Sequence, residues 1–308
     1  MKHIYVIDTK LMFYNLKHRR QSLWDIYTEI ANTLHRLPQG DLYFATDIGK
    51  SDFRLNEQSY YKGTRRKNMT PAEQKEHEKF SEAYLQFIEL SKFLNAYVLD
   101  IAGLEADDQA SILAKYFANN RAVTLVTADR DWAQIVLDNP STRILLPKEK
   151  TFLYKKDIIE EYGTETKRDF CMLKAISGDA GDNIVLIKGV GKERGRSIFN
   201  GLLEKYENPT DKQVIKELEE HLEENPKRFV HELHVKDGRK TVKAAYYNNM
   251  LVAETFTSVD QLTKKQAKKF KEVLMSDITY DADKFYDATI ETLGFPLFFS
   301  TNESRLFL

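Results

Sequence analysis

The sequence predicts an α/β fold in which a mostly parallel central sheet is flanked by helices. Three observations support that reading. Short strand-like runs recur at Ile4–Ile7, Leu42–Ala45, Tyr97–Asp100 and Val123–Val126. Stretches with apolar residues at helical spacing lie between them, and strands alternating with helices favour parallel pairing. Carboxylates follow the runs, and in such a sheet the carboxyl ends of the strands share the edge where ligands bind.

Asp8 closes the first run, and Trp24–Leu37 then carries Ile26, Ile30 and Leu34 at helical spacing before Pro38-Gln39-Gly40 ends it. Asp47 closes the second run. A basic, aromatic stretch follows: Arg54, Tyr60, Tyr61, Lys62, Gly63, Thr64, Arg65, Arg66, Lys67. Thr70-Pro71-Ala72-Glu73 supplies an N-cap, a first-turn proline and a capping-box glutamate, so a helix is predicted from there to about Phe93. Its later half has Phe80, Tyr84, Phe87 and Ile88 for packing, whereas Glu73–Lys79 is almost wholly charged. The segment from about 50 to 95 reads either as a solvated loop or as a basic arch able to reach a phosphate.

After Gly103, Glu105, Asp107 and Asp108 crowd the start of an amphipathic helix whose apolar positions are Ala106, Ala110, Leu113, Ala114 and Phe117. On their own, acids in a first turn complement the helix dipole as readily as a metal. Their company changes the weighing, because Asp8, Asp47, Asp129 and Asp131 end other strands of the same sheet. Like carboxylates brought together must protonate or share a cation. Oxygen-only ligands point to Mg²⁺ or Mn²⁺.

Farther on, helices are predicted over Asp157–Tyr162 and Arg168–Ser177, with a strand at Arg143–Leu146. The second helix ends at Gly178-Asp179-Ala180-Gly181-Asp182-Asn183, a turn whose residue types need no metal to explain them. Lys188-Gly189-Val190-Gly191-Lys192-Glu193-Arg194-Gly195-Arg196 reads as a clamp for a phosphate backbone or as plain helix-turn-helix packing. Beyond Phe199 the chain is charge-rich and mostly helical, with a helix at Asp211–Glu224 and a hairpin expected at Leu233–Val242. His231 and His234 lack the spacing of a zinc site. Lys264, Lys265, Lys268, Lys269 and Lys271 form a basic helix face, by default a solvated one and at best an auxiliary DNA contact.

Composition narrows the class. With 308 residues, 42% hydrophobic and 30% charged, the chain has the make-up of a soluble globular protein. One cysteine, Cys171, precludes an intramolecular disulfide, and the cytoplasm is the expected location. No apolar run nears membrane-spanning length, no signal peptide is expected at the N-terminus, and a monomer without membrane contact is expected. The net charge of −1 conceals a basic surface: with nine carboxylates assigned to metal, 38 acids face 46 bases. That excess suits a phosphate-bearing partner.

In this order, Asp8, Asp47, Glu105-Ala106-Asp107-Asp108, Thr127-Ala128-Asp129-Arg130-Asp131-Trp132, Gly178 to Asn183 and Gly189-Val190-Gly191 to Gly195 resemble the structure-specific 5′ nuclease superfamily, the flap endonucleases and 5′-3′ exonucleases. The resemblance extends to the bacteriophage members, including the phage RNase H that removes RNA primers. Tyr61-Lys62-Gly63-Thr64-Arg65 matches the base of the family's arch. Thr9 departs from the glycine that commonly follows the first Asp. The resemblance covers about Asp8 to Arg196 and implies two Mg²⁺ ions, with Mn²⁺ able to substitute. One would be held by Asp8, Asp47, Glu105, Asp107 and Asp108, the second by Asp129, Asp131, Asp179 and Asp182. It also implies Lys62 on the scissile phosphate with Arg65 beside it. DNA contacts would come from Arg54, Tyr61, Arg66, Lys67, Lys188, Gly189, Gly191, Lys192, Arg194, Gly195 and Arg196, with K⁺ at the helix-three-turn-helix. A catalytic domain over 1–170 and a DNA-binding lobe over 171–308 follow, with nicked or branched DNA and RNA–DNA as substrate, in the host cytoplasm for a phage protein. A single-strand-binding protein is an expected partner, and the apolar tip Arg305–Leu308 resembles the peptides that dock replication enzymes on a sliding clamp. The rival readings are a single-strand ribonuclease of the acidic-pocket type and a non-catalytic DNA-binding scaffold.

Overall fold

The computed structural model describes residues 3–16, 23–57, 61–62, 69–179, 184, 190, 192–223, 242–278, 281–293, 297–299 and 305–307. The chain folds as two compact units, one formed by 1–49, 69–161 and 256–308 and the other by 50–68 and 162–255.

In the first unit, β1 (His3–Asp8), β2 (Gly40–Ala45), β3 (Tyr97–Leu99), β4 (Val123–Val126), β5 (Thr142–Leu146) and β6 (Thr151–Leu153) make one sheet in the order β3-β2-β1-β4-β5-β6. All neighbours are parallel except β5 and β6. Ile4, Val6, Ile7, Val123, Leu125 and Val126 are enclosed on both faces, as strands covered by helices on each side require. The chain moves from β1 outward to β2 and β3, then returns past β1 to β4. The order therefore reverses between β1 and β4, where open α/β sheets bind ligands.

Helices α1 (Thr9–Leu16), α2 (Leu23–Leu34) and α4 (Pro71–Ser91) contribute to an aromatic core, while α6 (Ala133–Asp138) and α7 (Lys155–Tyr162) follow β4 and β6 in the chain. Phe13, Tyr84 and Phe87 meet edge to face, with Phe13 5.2 Å from Tyr84 and 5.1 Å from Phe87. Helix α4 starts on the expected capping box: the Thr70 N–H donates to Glu73 Oε2 at 2.7 Å and the Glu73 N–H to Thr70 Oγ1 at 3.3 Å. Its first two turns are exposed and one face of its last two is buried, because the apolar residues begin at Phe80.

In the second unit, α8 (Lys167–Ser177), α9 (Lys192–Lys205), α10 (Asp211–Glu223) and α11 (Val242–Ala253) pack around Met172, Ile176, Phe199, Leu202, Val214, Leu218 and Tyr246, and Leu55 of α3 (Asp52–Glu57) packs against a smaller cluster with Tyr61, Cys171 and Val252. The hairpin expected at 233–242 lies outside the described residues, apart from Val242 at the start of α11. Among the described residues, no helix is long and apolar enough to cross a membrane.

Two expectations are corrected. A boundary near 170 is not the division the chain makes, because the apolar faces of α12 (Lys264–Met275) and α13 (Ala282–Leu293) bury Phe270 and Phe285 in the first unit. Nor is the C-terminal tip a free docking peptide. Phe307 is fully buried, 5.4 Å from Tyr27 and 5.3 Å from Phe299, and its carbonyl accepts the Asn95 N–H at 2.8 Å.

Candidate metal centre

Asp8 sits at the carboxyl end of β1, almost wholly buried. Its Oδ1 accepts the Leu11 N–H at 3.0 Å and its Oδ2 accepts the Thr127 hydroxyl at 2.9 Å. Burial, followed by the charges of Asp47 and Asp129, pushes its pKa up to about 7 against the pull of those two hydrogen bonds. The neighbouring strand ends thus bring Asp8, Asp47 and Asp129 into mutual repulsion, as the sheet topology demands.

Asp47 is fixed from three sides. Its Oδ1 accepts the Ala106 N–H at the start of α5 (Ala106–Phe117) at 2.8 Å, and Lys10 Nζ lies 3.7 Å from Oδ2. Its own N–H donates to the Tyr84 hydroxyl oxygen at 3.0 Å. Tyr84 in turn meets Thr9 Oγ1 at 2.8 Å, and Thr9 donates to the Ala45 carbonyl at 2.8 Å. With its own proton on Ala45, Thr9 is the acceptor for Tyr84, so the residue standing where the family commonly has glycine ties β1 to the end of β2.

At the head of α5, Glu105 is the buried N-cap residue and its side chain makes no capping hydrogen bond. The Asp107 carboxylate accepts the Asp108 N–H at 2.8 Å. Asp108 is fully enclosed and its Oδ1 accepts the Phe256 N–H at 3.0 Å, so it also anchors the returning chain. After β4, Asp129 caps a 3₁₀ turn (Arg130–Trp132) by accepting the Asp131 N–H at 2.9 Å. Among the described residues, no three acidic, histidine or cysteine side chains stand close enough to ligate a common ion as placed. The donor set nevertheless fits a hard divalent cation. It is all oxygen, and each Asp8 oxygen receives one hydrogen bond and keeps a second acceptor position.

The second unit carries the other predicted residues. Asp179 pairs with Lys174 at 3.3 Å, and its N–H donates to the Ile184 carbonyl at 3.2 Å. Lys62 has a left-handed backbone (φ 51°), its ammonium 5.0 Å from the Tyr61 ring. Tyr61 is not a DNA contact, because its ring is buried with Cys171, Ile184, Val252 and Ala253. Arg54 is likewise corrected: it is buried and donates to the carbonyls of Val252 at 3.1 Å and Glu254 at 3.2 Å. Gly195 is a packing glycine, since a Cβ there would stand 2.5 Å from Ser177 Oγ on α8. Lys192 and Arg196 are exposed on α9 and Arg194 is half-buried; Arg196 donates to the Tyr162 carbonyl at 3.1 Å. Arg65, Arg66, Lys67, Asp182, Lys188, Gly189 and Gly191, and with them the expected K⁺ turn, lie outside the described residues.

The family model for the 5′-3′ exonuclease, N-terminal resolvase-like domain, matches residues 5–163, just over half of the 308. The chain belongs to this 5′-3′ exonuclease family. The flap endonuclease of Escherichia phage T5 is 33% identical over 157 residues, 50% of this chain and 53% of that protein. DNA polymerase I of Lactococcus lactis subsp. cremoris is 29% identical over 196 residues, 61% of this chain and 21% of that one. The match thus spans about half the length of the phage relative and about a fifth of the polymerase. A solved T5 5′-exonuclease with bound zinc shares the fold, with a TM-score of 0.67 over 89% of this chain and 98% of that chain at 23% identity.

Within this exonuclease-family domain, three residues beside the acids escaped sequence reasoning. Thr127 donates to Asp8 and accepts the Asp129 N–H at 2.9 Å, joining two strand ends with one hydroxyl. Gln109 is fully buried; it accepts the Thr46 N–H at 3.0 Å and donates to the Thr46 carbonyl at 2.9 Å, which locks α5 to the end of β2. Tyr84 bridges Thr9 and Asp47. A polar residue inside an apolar helical stripe is the signal that Tyr84 and Gln109 leave in the sequence. Thr127 leaves none.

Proposed function

We propose that this protein is a divalent-metal-dependent 5′-3′ exonuclease and flap endonuclease. It hydrolyses phosphodiesters near the 5′ ends of DNA, RNA–DNA duplexes and flaps, and removal of RNA primers is its proposed role. The observation that carries this reading is Asp8, enclosed at the switch point with Asp47 and Asp129 raising its pKa. So much negative charge in a buried pocket favours a cation. Two Mg²⁺ ions, replaceable by Mn²⁺, are the proposed occupants, with Asp8, Asp47, Glu105, Asp107 and Asp108 holding one and Asp129 and Asp131 the other. When bound, such a pair supplies a water acidified for attack and a Lewis acid at the leaving oxygen.

The chain's own residues do the positioning. Thr127 and the Leu11 N–H orient the Asp8 carboxylate, and Ala106 N–H and Lys10 orient that of Asp47. Lys62 and Arg65 are the proposed contacts to the phosphoryl oxygens, where cationic side chains offset developing charge. Asp179 and Asp182 are proposed to assist the second ion through water.

The test is product analysis on a 5′-labelled flap and on a nicked, RNA-primed duplex with Mg²⁺, Mn²⁺ or chelator. Release of mononucleotides or short oligonucleotides is expected only with metal. Asp129→Asn with Asp131→Asn should retain DNA binding and lose at least about 100-fold in cleavage, as removal of charge-stabilising groups does. Intact branched DNA after incubation in magnesium buffer overturns the proposal.

A further inference from the structure

Helix α12 begins with two lysines and carries five within its first eight residues: Lys264, Lys265, Lys268, Lys269 and Lys271. Its first turn has no acid, so the positive end of the helix dipole is reinforced where most helices offset it. Lys264 with Lys268, and Lys265 with Lys269, stand four apart on one surface, a spacing at which like charges destabilise a helix. Among the described residues only Lys268 makes an ion pair, with Glu272 at 3.8 Å. The cap is neutral as well, with Thr263 and Gln266 bonding reciprocally where a glutamate would have answered the lysines.

The first unit holds the opposite face of α12. Phe270 is fully buried, Gln266 is nearly so, and all five lysines are exposed. Gln266 Nε2 donates to the Ala102 carbonyl at 3.2 Å, in the loop that leads from β3 into Glu105. The lysine row therefore starts at the sheet edge that carries the acidic centre, inside the same unit. Lys264, Lys268 and Lys271, with Glu272 as the one acid among them, line one surface groove along the helix, ending at the exposed Met275. From Lys264 to Lys271 the helix rises about 10 Å, at roughly 1.5 Å per residue. Three ammonium groups spread along that rise can each meet a phosphate of a nucleic-acid backbone.

We infer that the exposed lysine row of α12 is a separate contact surface for the phosphate backbone of a nucleic-acid substrate. It would hold the arm that extends from the acidic edge of the first unit. Charge that disfavours the isolated helix is then balanced in the complex. The inference rests on the nuclease reading for its substrate, but its test is a binding measurement.

Binding of a flap DNA with a long duplex arm is measured at several salt concentrations in chelator, for the wild type, a Lys264→Gln/Lys268→Gln/Lys271→Gln variant and a control, Lys148→Gln/Lys156→Gln. Each phosphate contact contributes about 0.9 to the slope of log affinity against log salt. The α12 variant should lose about 2 to 3 from that slope and the control almost nothing, while the α12 variant melts no lower than the wild type because repulsion within the helix is relieved. Single-turnover cleavage in Mg²⁺ at saturating enzyme should stay within about twofold of wild type, since phosphate contacts of this kind position the substrate. An unchanged slope overturns the inference, as does an equal loss in the control. If the wild type leaves the flap uncut while the slope still falls, the nuclease reading fails and the surface stands.

Discussion

A single hydroxyl, that of Thr127, links Asp8 to Asp129. Thr127→Val keeps the shape and removes both the donor and the acceptor, which leaves a buried carboxylate oxygen without its partner. Such a loss costs about 1–3 kcal/mol. Thr127→Val is expected to lower metal affinity in titration calorimetry and cleavage by 10-fold or more, and Thr127→Ser should restore both. Gly195 poses a different residue-scale problem. Alanine there would press its methyl against Ser177, and overpacking of this kind costs about 1–3 kcal/mol. Denaturant titration of Gly195→Ala should show that loss, and Ser177→Gly in the same chain should recover much of it. Recovery would confirm that this glycine serves helix packing instead of approach to DNA.

Among the elements, β1 carries a titratable group at the end of the sheet remote from the acids. His3 accepts or shares a hydrogen bond with Thr124 Oγ1 at 2.7 Å, and Arg143 Nε donates to the same oxygen at 3.0 Å. Burial first, then the guanidiniums of Arg143 and Arg121, lowers the pKa of His3 from 6.5 to about 4. Between those values the unfolded chain binds the proton and the folded chain does not, so the contribution to stability is complete above pH 6.5 and is lost as pH falls toward 4. His3→Gln should flatten the pH dependence of chemical denaturation in that window. Helix α4 shows a second property of elements: the capping box fixes where it starts, while the apolar content of its last two turns fixes which part is held.

Over the whole molecule, the last described residues close the first unit. Phe307 lies in the aromatic cluster with Tyr27 and Phe299, and Phe→Ala at such a site costs about 3–5 kcal/mol. Phe307→Ala is expected to lower the denaturation midpoint accordingly, and removal of 305–308 should do at least as much. A clamp-docking role for this tip would require its extraction from that core, which is why the similarity of its sequence to a docking peptide misleads.

The sequence by itself determined the sheet, the order of its strand-like runs and the meeting of Asp8, Asp47 and Asp129 on one edge, because these follow from short-range periodicity and from the handedness of strand-helix-strand units. Tertiary structure alone decided which charged residues face inward. Asp108 bonds to the Phe256 N–H and Arg54 to the carbonyls of Val252 and Glu254, partners far away in the chain. Nothing local to Asp108 distinguishes it from Asp107, and nothing local to Arg54 marks it as a core residue. The division into two units and the burial of Phe307 are decided in the same way. Burial is a property of what lies across the fold, and periodicity along the chain records only which side of an element is apolar.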